Sequence, residues 1–290
     1  MKLNPVFKNE IKLSSRTMKS SWMVFGYNAV LIVASMMVLY SMMDTVHYGY
    51  SMDYSETVSL YVVMAYIEFG MILLIIPAIT AGSIAGERER QTLDMLLATK
   101  MKPWSIVLGK LESSLSSVLM LAVSSLPVLS IVFIFGGVGI LELVGFVVIL
   151  GVSAIFVGSV GIFFSAYTRR VTTATVLTYL AVLFLLGGTL VIESGVYSLV
   201  QMQMSAVGQT EGITVGNVIG LLLVNPAVTF YGMVSSQVGD PGAIVALCTR
   251  FGLNGAEGIL THWIAVSEVV QLLLSGVLLY LAGRKINPLK

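Results

Sequence analysis

The ionisable residues that could take part in chemistry are concentrated in one stretch of this chain, residues 86–110, which reads GERERQTLDMLLATKMKPWSIVLGK. This stretch holds eight of the 31 Asp, Glu, Lys and Arg residues, and apolar segments lie on both sides of it. The charges alternate in sign from Glu87 to Arg90, and a mostly apolar run from Leu93 to Leu97 follows. A short helix with a charged and an apolar side fits a groove on a partner protein. The pattern therefore indicates a docking surface, although a solvated connector would also explain the charges.

The sequence lacks the patterns of an enzyme or a metal site. Cys248 is the only cysteine, so neither an intrachain disulfide nor a cysteine-based metal site can form. His47 and His262 are far apart in sequence and do not have ligand spacing, and no H-E-x-x-H motif is present. A phosphate-binding loop needs Ser or Thr after its Gly-Lys pair, but Gly109-Lys110 is followed by leucine. We therefore predict a protein without enzymatic activity, metal or cofactor of its own.

The composition is that of an integral membrane protein. The 290 residues are 57% hydrophobic and 11% charged, with a mean hydropathy of +0.93, whereas soluble domains are about one quarter charged. A transmembrane helix needs about 20 mostly apolar residues. Six runs of that kind predict an all-α bundle of six spans in a single domain, with the lipid bilayer as its surroundings. The predicted spans are Trp22–Met43, Val58–Ala81, Ser105–Phe135, Leu141–Tyr167, Val171–Ile192 and His262–Leu281.

The distribution of basic residues predicts the orientation of these spans. Fifteen of the sixteen Lys and Arg residues fall in the N-terminal arm, the connection after the second span, the Arg169-Arg170 turn and the C-terminal tail. Only Arg250 falls on the opposite side. Because basic residues are enriched on the cytoplasmic side of membranes, both termini and the charged stretch are predicted to be cytoplasmic. The net charge of +1 gives no reason to expect a nucleic-acid partner.

Two segments outside the spans carry structure of their own. In residues 1–20, Asn4-Pro5 favours a helix start, and the following cations beside an apolar face favour a helix in the membrane interface. A simple positively charged anchor is the alternative. In residues 195–261, Asn225-Pro226 interrupts an apolar run, which favours two short half-helices on the extracytoplasmic side. Two further short spans are the less favoured interpretation.

A stripe of small residues predicts close helix packing in the fourth span. Gly151, Ala154, Gly158 and Gly161 are spaced so that they share one face of a helix. Small side chains let another transmembrane helix approach closely. The stripe is therefore predicted to build the bundle or a contact between subunits.

One acidic residue lies near the middle of a span. Glu68 is a candidate for a translocation path, because ionisable groups inside membranes are often functional. A hydrogen bond that only holds two helices together would explain it as well. Met36 and Met37 in the first span are further candidates for the path, although lipid-facing packing is the more favoured interpretation.

Three parts of the chain together resemble a known family. They are the N-terminal NPVFKNEIK, the central PAITAGSIAGERERQTLDMLLATKMKPWSIVLGKL and the layout of five spans within residues 22–192, an outer helical region and a last span at about 262–283. This arrangement resembles an ABC-2 type permease, the transmembrane subunit of an ATP-binding-cassette exporter. Many relatives have Gly-Thr in the central motif where this chain has Gln91-Thr92.

The resemblance implies the roles of particular residues and partners. It implies that residues of about 86–99 form a coupling helix on the cytoplasmic side of a bacterial inner membrane. That helix would dock on a separate ABC ATPase subunit, which would bind ATP and Mg, beside a second permease chain, identical or homologous. A second cytoplasmic contact is predicted at Arg169 and Arg170. The docking residues are Glu87, Arg88, Glu89, Arg90, Thr92, Leu93, Asp94, Leu96 and Leu97.

Two other functions remain open from the sequence. The chain could be an ATP-driven transmission module that acts on an envelope partner through residues 195–261, which a labelled-substrate flux assay would separate from a transporter. It could also be an ion-coupled secondary carrier that uses Glu68, which would show proton-dependent flux without an ATPase.

Overall fold

A computed structural model describes residues 18–47, 54–93, 103–134, 139–206, 219–250 and 260–286. The predicted interfacial helix therefore lies outside the described residues, apart from its last three positions. Asp94, Leu96 and Leu97 of the predicted docking set also lie outside them.

Most of the described residues lie in helices. The fifth long helix contains a π-helical segment at Phe184–Gly188, which separates α6 from α7. The helices are α1 Met18–His47, α2 Tyr54–Thr80, α3 Gly82–Glu89, α4 Pro103–Ile134, α5 Ile140–Tyr167, α6 Val171–Leu183, α7 Thr189–Ala206, α8 Ile219–Val224, α9 Pro226–Gln237, α10 Ala243–Arg250 and α11 Trp263–Ile286.

The prediction of an all-α protein with six membrane spans is confirmed. Among the described residues, six helical segments are long and apolar enough to cross a bilayer. The fifth runs over Val171–Ala206 and is longer than predicted, because the residues after Gly195 continue the helix instead of ending it. The first helix already begins at Met18, so the last residues of the predicted 1–20 helix belong to it. Composition thus places the spans well and their ends less well.

The chain divides into two compact units. The first unit comprises residues 1–178 and 275–290, and the second comprises residues 179–274. One buried core of the first unit joins α3 to α4, α5 and α11, so that a short charged helix packs among long apolar ones. Its residues are Ile84, Leu93, Val107, Leu111, Ile162, Ala166, Leu279, Ala282 and Ile286.

The predicted stripe of small residues on α5 divides into two parts. A Cβ atom built on Gly158 would lie 3.1 Å from Leu111 Cδ1, and one on Gly161 would overlap the Thr80 side chain. This part of α5 lies directly against α2 and α4. Gly151 and the buried Ala154 instead line an apolar pocket of about 90 Å³. The close approach of α5 to α2 and α4 therefore depends on Gly158 and Gly161.

We expect Gly161→Ala to lower the free energy of unfolding by about 1–2 kcal/mol, because the added methyl group must displace the Thr80 side chain. Gly151→Ala is the matched control, since a Cβ atom there would have no neighbour within 4 Å. Thermal unfolding of both variants in detergent measures the difference. Equal melting temperatures for the two would contradict the packing described here.

The second unit contains a buried helix break. Asn225 is fully buried between α8 and α9, and its side-chain oxygen accepts a bond of 2.8 Å from Ala227 N. Its Nδ2 donates to Leu186 O, in the π-helical segment, at 3.0 Å and to Thr189 Oγ1 at 2.8 Å. A broken backbone in an apolar environment needs such partners. The Asn225 amide therefore supplies the bonds that let two short helices meet at Pro226.

A second buried polar group joins α9 to α11 within the same unit. Gln271 Nε2 donates to Thr229 Oγ1 at 3.0 Å and to Ser267 Oγ at 3.1 Å. Ser267 Oγ also donates to Leu223 O at 2.6 Å. Side-chain hydrogen bonds of this kind hold transmembrane helices together.

Candidate functional site

The charged stretch begins as a short helix that follows α2 after a one-residue interruption. Pro77 lacks an N–H group, and the helix is interrupted at Ala81, whose N–H bonds to Pro77 O at 3.0 Å. The interruption leaves the first N–H groups of α3 without partners in their own helix. Ser165 of α5 supplies a partner, since its buried Oγ accepts from Ile84 N at 2.9 Å and Ala85 N at 2.8 Å. The start of α3 is thereby fixed to α5.

The end of α3 is a Schellman turn. Thr92 N donates to Glu87 O at 2.9 Å, and Gln91 N donates to Arg88 O at 3.1 Å. This turn requires a left-handed residue after the cap, and Gln91 occupies that position with a φ of 60°. The helix predicted from about 86 to 99 is therefore not continuous, because the backbone turns at Arg90–Thr92.

Arg88 and Glu89 bind the ends of two neighbouring helices. The Arg88 Nη1 donates to Ala166 O at 3.0 Å and Thr168 O at 2.9 Å, at the C-terminus of α5. Glu89 Oε2 accepts from Val171 N at 3.1 Å, at the N-terminus of α6. A cation at a helix C-terminus and an anion at an N-terminus both complement the helix dipole. The two side chains thus attach α3 to both sides of the turn between α5 and α6.

Glu87 makes the third attachment, to α4. Its Oε1 accepts from Lys110 Nζ at 3.1 Å, while its Oε2 accepts from Thr92 Oγ1. The Lys110 side chain is 8% exposed and that of Glu87 is 27% exposed. Because a buried ammonium group needs a partner, this ion pair fixes the Schellman turn to the beginning of α4.

The comparison with known families identifies the chain. The ABC-2 family transporter protein profile matches residues 6–275. The chain belongs to the ABC-2 transporter family. It is a multi-pass transport permease, and the family assignment predicted from the central motif is confirmed. No curated protein sequence matches it.

The central motif of this permease has a physical basis in the Schellman turn. The left-handed position of the turn is taken by Gln91. A residue with a Cβ atom strains there, whereas glycine does not. The following threonine is the residue whose hydroxyl and amide both bond to Glu87. A glycine followed by a threonine is therefore the pair that a Schellman turn at this place prefers.

We expect Gln91→Gly to raise the free energy of unfolding of the permease by about 1 kcal/mol, because it removes the left-handed strain at the turn. Gln91→Ala is the control, since alanine keeps the Cβ atom. A higher melting temperature for the glycine variant alone supports the turn geometry. A gain that appears equally in both variants would contradict it.

The structure separates the predicted docking residues into two groups. Glu87, Arg88, Glu89 and Thr92 have the intramolecular partners given above, and Leu93 is buried in the core. Arg90 is exposed, as are Arg169 and Arg170 in the turn between α5 and α6. Docking of this stretch on a partner stays a prediction.

The predicted path residues are not brought together. Glu68 is 1% exposed and accepts a bond from Ser125 Oγ at 2.7 Å, next to the Tyr27 hydroxyl. Met36 and Met37 are 65% and 70% exposed on α1. Glu68 therefore joins α2 to α4 beside the Tyr27 side chain of α1, while the two methionines point out of the chain.

Sequence reasoning missed two of the residues that hold this site. The sequence drew attention to Lys110 only in the Gly109-Lys110 pair and as one of the basic residues on the predicted cytoplasmic side, and it gave Ser165 no predicted partner. A lysine in the second turn of a mostly apolar helix does signal an acidic partner. The serine gave no such signal, because its role depends on where the interruption at Ala81 falls.

Proposed function

We propose that this permease is the membrane subunit of an exporter driven by ATP hydrolysis on a separate ABC ATPase subunit. In this proposal the 82–93 segment, meaning α3 and the Schellman turn, passes the motion of the ATPase to the membrane helices. ATP and magnesium bind to the partner subunit. A second permease chain completes the path, and both termini face the cytoplasm of a bacterial cell.

The attachments of the 82–93 segment support this role. The segment is bonded to α4 through Lys110, to the end of α5 through Arg88 and Ser165, and to the start of α6 through Glu89. A segment that is only a connector needs no such bonds. Because hydrogen bonds join it to three long helices at once, a displacement of the segment displaces all three.

The part of the segment that remains exposed is suited to contact the ATPase. Arg90 and Gln91 are both exposed at the turn. An arginine there can pair with a carboxylate of the partner. We therefore assign contact to the tip of the turn and transmission to the side chains that bond to α4, α5 and α6.

The test is co-purification of the tagged permease with the ABC ATPase from its native host. Arg90→Glu is expected to reduce the bound ATPase at least about tenfold, since like charges then meet at the contact. Arg284→Glu makes the same charge change at another exposed position and is expected to leave binding unchanged. Full ATPase binding by Arg90→Glu would contradict the assignment of the contact.

A further inference from the structure

A second feature of the same unit is a pocket whose charged residues are all basic. The pocket has a volume of about 420 Å³ and is lined by Arg88, Gln91, Leu93, Tyr167, Arg169 and Lys285. Three of these six residues are cations, and they come from α3, from the turn after α5 and from the end of α11. The fold thus brings together charges that are distant in sequence.

The cations of this pocket are not neutralised within the described part of the chain. Among the described residues, the ion pair is the one between Lys110 and Glu87, and none of the three pocket cations takes part in it. Arg88 bonds to two backbone carbonyls through Nη1, and a guanidinium group has five N–H donors. Clustered positive charges repel one another, so an anion placed among them would be attracted by all three.

The surroundings of the pocket are those of a membrane interface. The Lys285 ammonium lies 5.4 Å from the ring centre of Tyr167, which is 46% exposed. Five residues before Lys285, Tyr280 pairs with Trp104 at a ring distance of 6.1 Å. Tyr and Trp side chains concentrate at the level of the lipid headgroups. An anion at this depth can be part of a lipid.

We propose that this pocket binds the phosphate of an anionic phospholipid headgroup. The arginine side chains donate hydrogen bonds to the phosphate oxygens, and Lys285 adds a point charge. Basic pockets between transmembrane helices hold anionic headgroups in this way. The bound lipid would also connect the 82–93 segment to α11 through Arg88. The proposal does not depend on transport or on an ATPase.

The test is native mass spectrometry of the full-length chain titrated with phosphatidylglycerol, with phosphatidylcholine and inorganic phosphate as separate arms. We expect Arg169→Gln/Lys285→Gln to weaken the first bound phosphatidylglycerol at least about tenfold, because two charge-assisted contacts are lost. Arg170→Gln/Arg284→Gln is the matched control, since it removes the same charge from the neighbouring exposed positions. The control is expected to stay within about twofold of the parent chain.

Three results would overturn the proposal. An equal loss of phosphatidylglycerol affinity in both double variants would show that the lipid is attracted by the general surface charge and not by this pocket. Displacement of the lipid by equimolar inorganic phosphate would show that the pocket is a site for free anions. An unchanged lipid affinity in Arg169→Gln/Lys285→Gln, with loss of the ATPase from the purified complex, would assign the pocket to a protein partner. If the double variant does not fold, Arg169→Gln alone replaces it, because this change affects a single exposed turn residue. It is also expected to weaken the binding of phosphatidylglycerol.

Discussion

Replacement of Lys110 by methionine is expected to lower the free energy of unfolding of the permease by about 2–3 kcal/mol. The change removes the cation and leaves the Glu87 carboxylate with Thr92 as its side-chain partner in a half-buried position. An unpaired buried charge costs more than the pair contributes, although the partial exposure of Glu87 reduces the cost. Thermal unfolding in detergent measures the loss.

The double variant Glu87→Gln/Lys110→Met distinguishes a charge effect from a packing effect. Glutamine keeps an acceptor for Thr92 and removes the unpaired charge, so the double variant is expected to recover at least half of the loss. The coupling of the two changes is read from a double-mutant cycle. Additive losses in the cycle would show that Glu87 and Lys110 do not form the pair described here.

Replacement of Glu68 by alanine is expected to cost about 3 kcal/mol of stability, because it opens a cavity between α1, α2 and α4 and removes the acceptor of Ser125. Glu68→Gln is the matched control. It keeps the shape and the acceptor oxygen and is expected to cost less than about 1 kcal/mol. Melting temperatures of the two variants give the difference.

The same pair of variants separates two functions of Glu68. If the carboxyl group only joins helices, Glu68→Gln keeps the transport activity of the parent permease. A stable Glu68→Gln variant that loses transport, together with proton-dependent flux in the absence of the ATPase, would instead favour an ion-coupled carrier. Asn28 supports the structural interpretation, since its Nδ2 donates to the neighbouring Ser124 Oγ at 2.8 Å across the same helices.

Local patterns were sufficient to predict the six spans and the family. Hydropathy reports a property of consecutive residues, and the central motif is a consecutive string, so both can be read without a fold. The partners of that motif cannot be read in this way. Glu87 finds its partner 23 residues away in α4, and Arg88 finds carbonyl groups nearly 80 residues away. Both sets of contacts depend on how α3 packs against α4 and α5.

The turn at Gln91 shows a second limit of sequence reasoning. Alternating charges and a leucine-rich run favour one amphipathic helix across residues 86–99, and glutamine gives no warning of a left-handed residue. The interruption becomes understandable once the amide of Thr92 is seen to bond to Glu87 O. The sequence shows that Gln91 departs from the Gly-Thr pattern, but it does not show the backbone strain that glutamine meets in the left-handed conformation.

The most direct test is hydrogen–deuterium exchange of the assembled permease–ATPase complex, measured with and without ATP. If the 82–93 segment transmits the motion, ATP changes amide exchange in residues 82–93 and also at the ends of α4, α5 and α6 to which the segment is bonded. In Glu87→Gln/Lys110→Met, we expect the change at the turn to persist and the change at the start of α4 to be lost. Exchange in residues 82–93 that is unaffected by both the ATPase and ATP would contradict the account.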